Sequence, residues 1–280
     1  MNGSKQVDSK EVGLAVGLIF GKYFLKTEHM HYGYWPGDLP LDISNVAHAQ
    51  EKYTEFLASY IPEGTETVLD VGCGTGATAK KLMDAGYSVE CVSPSDFLTG
   101  YARDLLGEEC TIHQCTFEEL DTDKRYDMLL FSESFQYVGL DDALTDAGKY
   151  LKENGHLMIC DFFRRGGEIK SFMGGGHNIE EFYDRVSSSG FRIIEDIDIT
   201  DQTAPNLDLV DDLLGNFAKP VWDLVQYSLS SNYPRISRIL KWRYRKKIEK
   251  MNRKYFSGLR NAENFKADKI YKFFLMKKCK

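Results

Sequence analysis

Nine residues, Val68-Leu69-Asp70-Val71-Gly72-Cys73-Gly74-Thr75-Gly76, combine the parts of a ligand cradle. A short apolar run ends on an acid, three glycines follow on alternate positions, and an amphipathic run begins at Ala77. This order reads as strand, tight turn, helix. Glycine lets the backbone take positive φ and come close to a bound group. Such a turn at the carboxyl end of a strand lies where open α/β sheets bind ligands. The spacing is not the G-x-G-x-x-G of dinucleotide sites, because the third glycine comes one residue early. Groups able to move a proton lie elsewhere in the chain: His29, His31, Glu133, Asp161 and His177. His31 stands in an aromatic segment with Tyr32, Tyr34 and Trp35, whose ring faces favour cationic groups. That segment either walls the space above the turn or plugs the cleft structurally. His177, in Gly174-Gly175-Gly176-His177-Asn178, belongs either to a lid or to a plain surface loop.

The elements that must position these groups alternate along the chain. Residues 11–25 and 44–60 read as helices. Strands follow at 68–71, 88–92, 110–115, 128–132, 156–161 and 191–199, with helices at 141–151 and 179–188. Ser95 suits an N-cap, Asn154-Gly155 a turn, and Gly190 a helix end. Strand–helix alternation implies a parallel sheet. Residues 206–262 read as helices only. The segment Ile270-Tyr271-Lys272-Phe273-Phe274-Leu275-Met276 has the composition of a seventh strand pairing with the sixth at the sheet edge, and residues 266–278 also admit a helix. The resulting division is residues 1–62 as N-terminal helices and an aromatic cover, 63–205 as the core, 206–265 as a helical cap, and 266–280 as the final strand.

A chain of 280 residues with 42% hydrophobic residues can bury a sizeable core. No run is long enough to span a membrane, and the apolar stretch 12–20 follows acidic residues and reads as an amphipathic helix. The six cysteines show no C-x-x-C spacing, which points to a reduced, cytoplasmic protein. The net charge of -7 hides an asymmetry: residues 233–280 hold 17 Lys and Arg against 3 acids. That excess is either a solvated face or a site for an anionic substrate, a carrier protein or a membrane surface. No nucleic-acid module is present in the pattern.

With Asp70 and its strand ahead of it, the glycine turn resembles motif I of the seven-strand, S-adenosylmethionine (SAM) dependent methyltransferases. Tyr126-Asp127-Met128-Leu129-Leu130-Phe131-Ser132-Glu133-Ser134 is similar to that family's strand-4 motif, and Leu151-Lys152-Glu153-Asn154-Gly155-His156-Leu157-Met158-Ile159 to its post-motif turn and strand 5. His31-Tyr32-Gly33-Tyr34-Trp35, Ser132-Glu133-Ser134, and Asp198-Ile199-Thr200-Asp201 with Ala204-Pro205 resemble the small-molecule group that includes tocopherol, sugar and glycine/sarcosine methyltransferases.

The resemblance implies a Rossmann-like seven-strand α/β sheet with helices on both faces and a helical cap. It implies SAM over Gly72, Cys73, Gly74 and Gly76, with Asp70 toward the methionine ammonium. Ser93, with Pro94 beside it, falls where the family carries a ribose-binding acid, and a hydroxyl cannot grip the diol with two acceptors. Thr116 falls at the adenine position, and Phe117 either packs on adenine or belongs to the core. Ser132 and Tyr32 complete the cofactor set. The catalytic candidates are His31, Glu133 and Tyr137. Tyr137 stands where relatives carry a His, and a phenol is a poor base near neutral pH. The implied activity is methyl transfer to N, O, S or C of a small, partly apolar acceptor with an anionic group. No metal, nucleic acid or stable membrane insertion is expected. Rival readings are a SAM-dependent lipid-chain methylase or cyclopropane-forming enzyme, and a SAM-binding protein without catalysis.

Overall fold

The computed structural model describes residues 9–166 and 174–279. Seven strands form one sheet: β1 (Thr67–Val71), β2 (Ser88–Val92), β3 (Ile112–His113), β4 (Tyr126–Ser132), β5 (Leu151–Arg164), β6 (Phe191–Asp198) and β7 (Lys269–Lys278). Their order is β3-β2-β1-β4-β5-β7-β6. β1 to β5 run parallel, and β7 pairs antiparallel with both β5 and β6. The chain leaves β1 toward β3 and then returns to lay β4 on the other side of β1. The reversal opens a crevice at the carboxyl ends of β1 and β4.

The helices are α1 (Ser9–Phe20), α2 (Val46–Ser59), α3 (Ala77–Asp84), α4 (Asp96–Leu106), α5 (Leu140–Tyr150), α6 (Ile179–Ser188), α7 (Thr200–Thr203), α8 (Pro205–Asp212), α9 (Lys219–Asn232), α10 (Pro234–Tyr255) and α11 (Ala262–Asp268). Wide helical turns at Gly21–Leu25 and Leu213–Ala218 extend α1 and join α8 to α9. The Ser95 hydroxyl accepts from the Leu98 N–H at 3.1 Å and caps α4.

Alternate strand residues enter opposite cores, as the two-residue period of a strand requires. Leu69, Phe131, Phe163 and Phe274 face α5 and α6. Val68, Met128, Leu130 and Phe273 face α2, α3 and α4. The first core is built around aromatic edges: Phe274 lies 4.7 Å from Phe182 and 5.6 Å from Phe163.

Four local expectations change. Strand 3 shrinks to two residues, Ile112 and His113, and the Cys110 thiol ahead of it donates to the Val89 carbonyl at 3.3 Å. Strand 5 lengthens to both sides of Asn154, whose positive φ of 61° makes a kink within it. Helix α6 ends through the Ser189 N–H bonded to the Val186 carbonyl, and Gly190 takes no left-handed conformation. The seventh strand pairs with the sixth as expected, and it also pairs with β5, so that it lies between the two and β6 is the edge.

Phe274→Ala, which empties a wholly buried site among three rings, is expected to lower unfolding free energy by about 3–5 kcal/mol. Urea denaturation checks it; the midpoint should fall while the slope holds.

Candidate active site

The loop after β1 is a tight cradle. The Gly72 and Cys73 N–H groups both donate to the Val92 carbonyl, at 2.8 and 3.3 Å, and the Gly76 N–H donates to the Cys73 carbonyl at 2.9 Å. Gly72 has φ 81°, and a Cβ there would sit 2.4 Å from the Ser134 Cβ. Gly74 has φ 57° and faces open space, with no atom within 4 Å of where a Cβ would sit. Gly76 leads directly into α3. Thr75 fastens the loop to the N-terminal segment by donating to the Glu28 carbonyl at 2.7 Å.

Asp70 is buried beneath this loop, and its Oδ2 has no hydrogen-bond partner among the described residues. Burial pushes its carboxyl up to about 7. An unpaired buried acceptor is costly, so this atom calls for a donor from outside the chain.

The β4 loop supplies the second group. Glu133 has φ 56°, a left-handed conformation rare for a non-glycine residue. Its Oε1 accepts from the Tyr32 backbone N–H at 2.7 Å and from the Tyr271 hydroxyl at 2.6 Å. Its Oε2 makes no hydrogen bond among the described residues. Burial raises the carboxyl to about 7, against the opposing pull of the Tyr271 and Tyr32 bonds. Asp161 lies nearby, with Oδ1 accepting from the Phe162 N–H at 2.8 Å and Oδ2 from the Gln136 N–H at 3.1 Å. Burial and the Glu133 charge hold Asp161 up to about 8.

His31 is enclosed. Its Nδ1 lies 2.8 Å from the Tyr32 carbonyl, so that nitrogen carries the proton. Its Nε2 is 3.0 Å from His29 Nδ1, and the ring stacks on Tyr53 at 4.3 Å. Burial, then the neighbouring His29, lowers it to about 3, leaving a neutral ring with both nitrogens engaged. The expected catalytic His31 therefore has no nitrogen free for a substrate. Tyr137 is 79% exposed at the end of the same loop as Glu133.

The remaining expected residues divide. Ser93 is buried at the end of β2 with no partner for its hydroxyl among the described residues, and Pro94 is exposed beside it. Glu90 points away into a cluster with His113 (2.8 Å), the Tyr126 hydroxyl (3.0 Å) and Lys124. The Thr116 hydroxyl donates to Glu119 at 3.1 Å. Phe117 is a core side chain, edge-on to Phe131 at 5.3 Å, and this resolves its two readings in favour of packing. The Ser132 hydroxyl lies 3.3 Å from that of Tyr53. Tyr32 is half-buried beside Tyr271 and Phe265.

Tyr53 and Tyr271, 3.1 Å apart at their hydroxyls, are residues the sequence did not single out. Both are wholly buried aromatics on regular elements, and only the placement of β7 brings Tyr271 to Glu133.

A sequence profile described as a methyltransferase domain matches residues 45–195. The chain belongs to this methyltransferase family. It is 28% identical over 200 residues to the methyltransferase GfsG of Streptomyces halstedii, covering 64% of this chain and 71% of that protein. Among solved structures, it is similar to the geranyl diphosphate C-methyltransferase of Streptomyces coelicolor A3(2), crystallised with Mg2+, geranyl-S-thiolodiphosphate and S-adenosyl-L-homocysteine (TM-score 0.66, 16% identity, 98% and 100% of the two chains). It is also similar to the cyclopropane synthase MmaA2 of Mycobacterium tuberculosis (TM-score 0.68, 16% identity, 99% and 100%). Both share its fold. The enzyme uses SAM as methyl donor. The residues present fit that group: an orphaned buried carboxylate oxygen suits an ammonium, and the glycine at 74 leaves room over the loop.

The Asp70 carboxyl is raised in the fold above its unfolded value near 4. Its contribution to stability is full below that value and is lost as pH rises through about 7. Asp70→Asn is thus expected to raise Tm by several degrees at pH 8 and little at pH 4 in the ligand-free protein. Scanning fluorimetry at the two pH values checks this; a variant less stable at pH 8 would mean that the carboxylate already has a partner.

Proposed function

We propose that this methyltransferase acts on a small molecule, in a cleft bordered by the segment 26–62 and by helices α8 and α11, and that Glu133 is its general base. The observation carrying this reading is the Glu133 carboxyl: one oxygen is held by Tyr32 and Tyr271, and the other is unengaged among the described residues. When bound, SAM supplies an electrophilic methyl on a sulfonium and leaves as S-adenosylhomocysteine.

The chain's own residues then have three tasks. Asp70 and the loop of Gly72, Cys73, Gly74 and Gly76 orient the donor, with Ser93 and Pro94 flanking its ribose side, and Thr116 its adenine side. Tyr32 and Ser132 border the reacting space and exclude water, backed by the buried rings of Phe162, Phe265 and Tyr271. Glu133 takes the proton that an acceptor O–H or N–H must lose as its new bond to carbon forms. A carboxyl near 7 is matched to that task at neutral pH. Asp161, with both oxygens held by N–H donors of the chain, takes no part in the transfer. His31 acts by holding the Tyr32 carbonyl and the Tyr53 ring, and is a positioning residue. Tyr137 sits at the mouth, where its exposed ring can meet an acceptor.

Calorimetric titration with SAM and S-adenosylhomocysteine, using NADH as control, tests the cofactor half. Both adenosyl ligands should bind, NADH should not, and Gly74→Arg should abolish binding because its side chain fills the open space above the loop. With labelled SAM and a metabolite extract as acceptor source, Glu133→Gln should lower methyl transfer about 10²–10⁴-fold and leave SAM affinity within a few fold. Wild-type transfer should rise with pH through about 7 as Glu133 ionises. An unchanged rate in Glu133→Gln would remove the base assignment.

A further inference from the structure

Helices α9 and α10 form a hairpin that buries almost none of its own apolar surface. On α9, Val221, Leu224 and Val225 are spaced i, i+3, i+4, one face of a helix, and Leu224 is 67% exposed. On α10, Ile236, Ile239, Leu240 and Tyr244 follow the same period, and Ile239 is 65% exposed. Ser237 is the one buried residue on α10, and α9 has none. Trp242 stands 79% exposed. Single exposed apolar side chains are ordinary, whereas two uncovered stripes on adjoining helices mark an interaction surface.

The charge on the same helices selects the occupant. α10 carries ten Lys and Arg and one acid, Glu249. Arg245, with Glu249 at 3.5 Å, is the one cation of α10 that has a carboxylate partner among the described residues. The other nine are exposed and unneutralised. Two of them lie on the stripe itself: Arg243 and Lys247 stand over the Tyr244 ring at 5.7 and 5.8 Å. The rest of the chain carries the acidic excess, so a positive field is confined to one end of an otherwise negative molecule.

We propose that the α9–α10 hairpin docks this enzyme on an anionic lipid bilayer surface, lying in the interface without crossing it. A bilayer presents anions and apolar surface within a few ångströms of depth. Long basic side chains can reach the phosphate plane while their stems and the Leu, Ile and Val side chains rest at the acyl boundary. Trp and Tyr are the residue types that settle at that boundary. No helix of the described residues is long and apolar enough to cross a membrane. The acidic body would be held off the same surface, which fixes the hairpin as the contact end. The inference concerns binding alone and does not depend on the base assigned above.

Tryptophan emission supplies a probe. The chain has three tryptophans: Trp35 is buried, Trp222 is half-buried, and Trp242 is exposed on the hairpin. Full-length protein is mixed with extruded vesicles of phosphatidylcholine and phosphatidylglycerol (7:3) or of phosphatidylcholine alone, and tryptophan emission is followed alongside co-sedimentation. On the anionic vesicles we expect a blue shift and co-sedimentation, at least tenfold weaker on neutral vesicles and weakening as salt rises. Ile239→Trp, which places an indole on the stripe, should show the largest shift, and Trp242→Phe, about 135° around the helix from the stripe, should still sediment. Replacing Lys246, Lys247 and Lys250 by Gln should weaken binding about a hundredfold, with an unchanged circular dichroism spectrum. No sedimentation at 1 mM lipid, or equal binding to both vesicle types, overturns the proposal. So does a dimer in light scattering that Leu224→Asp with Val225→Asp converts to monomer, since the stripes would then belong to a second copy. Binding to an acidic carrier protein without any binding to vesicles overturns it as well.

Discussion

The site depends on how closely two loops meet at the crevice between β1 and β4. Gly72 and Ser134 touch there: a side chain at 72 would begin 2.4 Å from the Ser134 Cβ, and Ser134 closes the contact by donating to the Val71 carbonyl. This approach sets Asp70 on one side of the junction and Glu133 on the other. It also fixes Glu133 in a left-handed conformation, an arrangement that costs about 1–3 kcal/mol and persists only where its surroundings over-determine it. They do so here. The Glu133 N–H donates to the Cys160 carbonyl at 2.9 Å, and its side chain is gripped from the N-terminal segment and from β7.

That grip gathers parts of the chain that are distant in sequence. Tyr32 precedes the sheet, Tyr53 lies on α2, and Tyr271 is on a strand near the other end of the chain. Their bonds run from Glu133 through Tyr271 to Tyr53 and on to Ser132, with His31 stacked against Tyr53. The network explains why β7 must lie inside the sheet. As an outer strand beyond β6 it would be one strand further from β4, and the Tyr271 hydroxyl could not reach the carboxylate.

The difference between what the sequence announces and what it hides follows from range. Strand 2, helix α6 and the Ser95 cap are set by local periodicity and local side-chain bonds, and they lie where the pattern puts them. The glycine loop is equally local. Its spacing dictates a turn at the end of β1, and the conformations of Gly72 and Gly74 follow. What depends on distant partners is not written in any window. Phe117 neighbours Thr116 in sequence, yet the sheet turns its ring into the aromatic core with Phe131. His31 has the residue type of a base and aromatic neighbours, yet His29 and Tyr53 close around it. Nothing in the string of residues distinguishes a histidine with an open nitrogen from one without. The place of β7 between β5 and β6 is likewise a property of pairing.

Three carboxyls, the buried Asp70 and Asp161 and the half-buried Glu133, work against the stability of the ligand-free fold. Each is pushed toward its neutral form by loss of water, and apolar side chains of the same shape would pack at less cost. The chain keeps them where the scaffold is strongest, at the ends of central strands lined on both faces by buried aromatic and aliphatic side chains. The asymmetry among them is chemical. Asp161 is satisfied on both oxygens by the chain itself, while Asp70 keeps an oxygen without a partner and Glu133 engages one of its two. A carboxyl that the fold has already satisfied can only support its surroundings. The two left incomplete lie on opposite sides of one glycine contact, and each keeps an oxygen that the described residues do not engage. The close approach that builds the crevice is thus also what keeps the two open carboxyls apart.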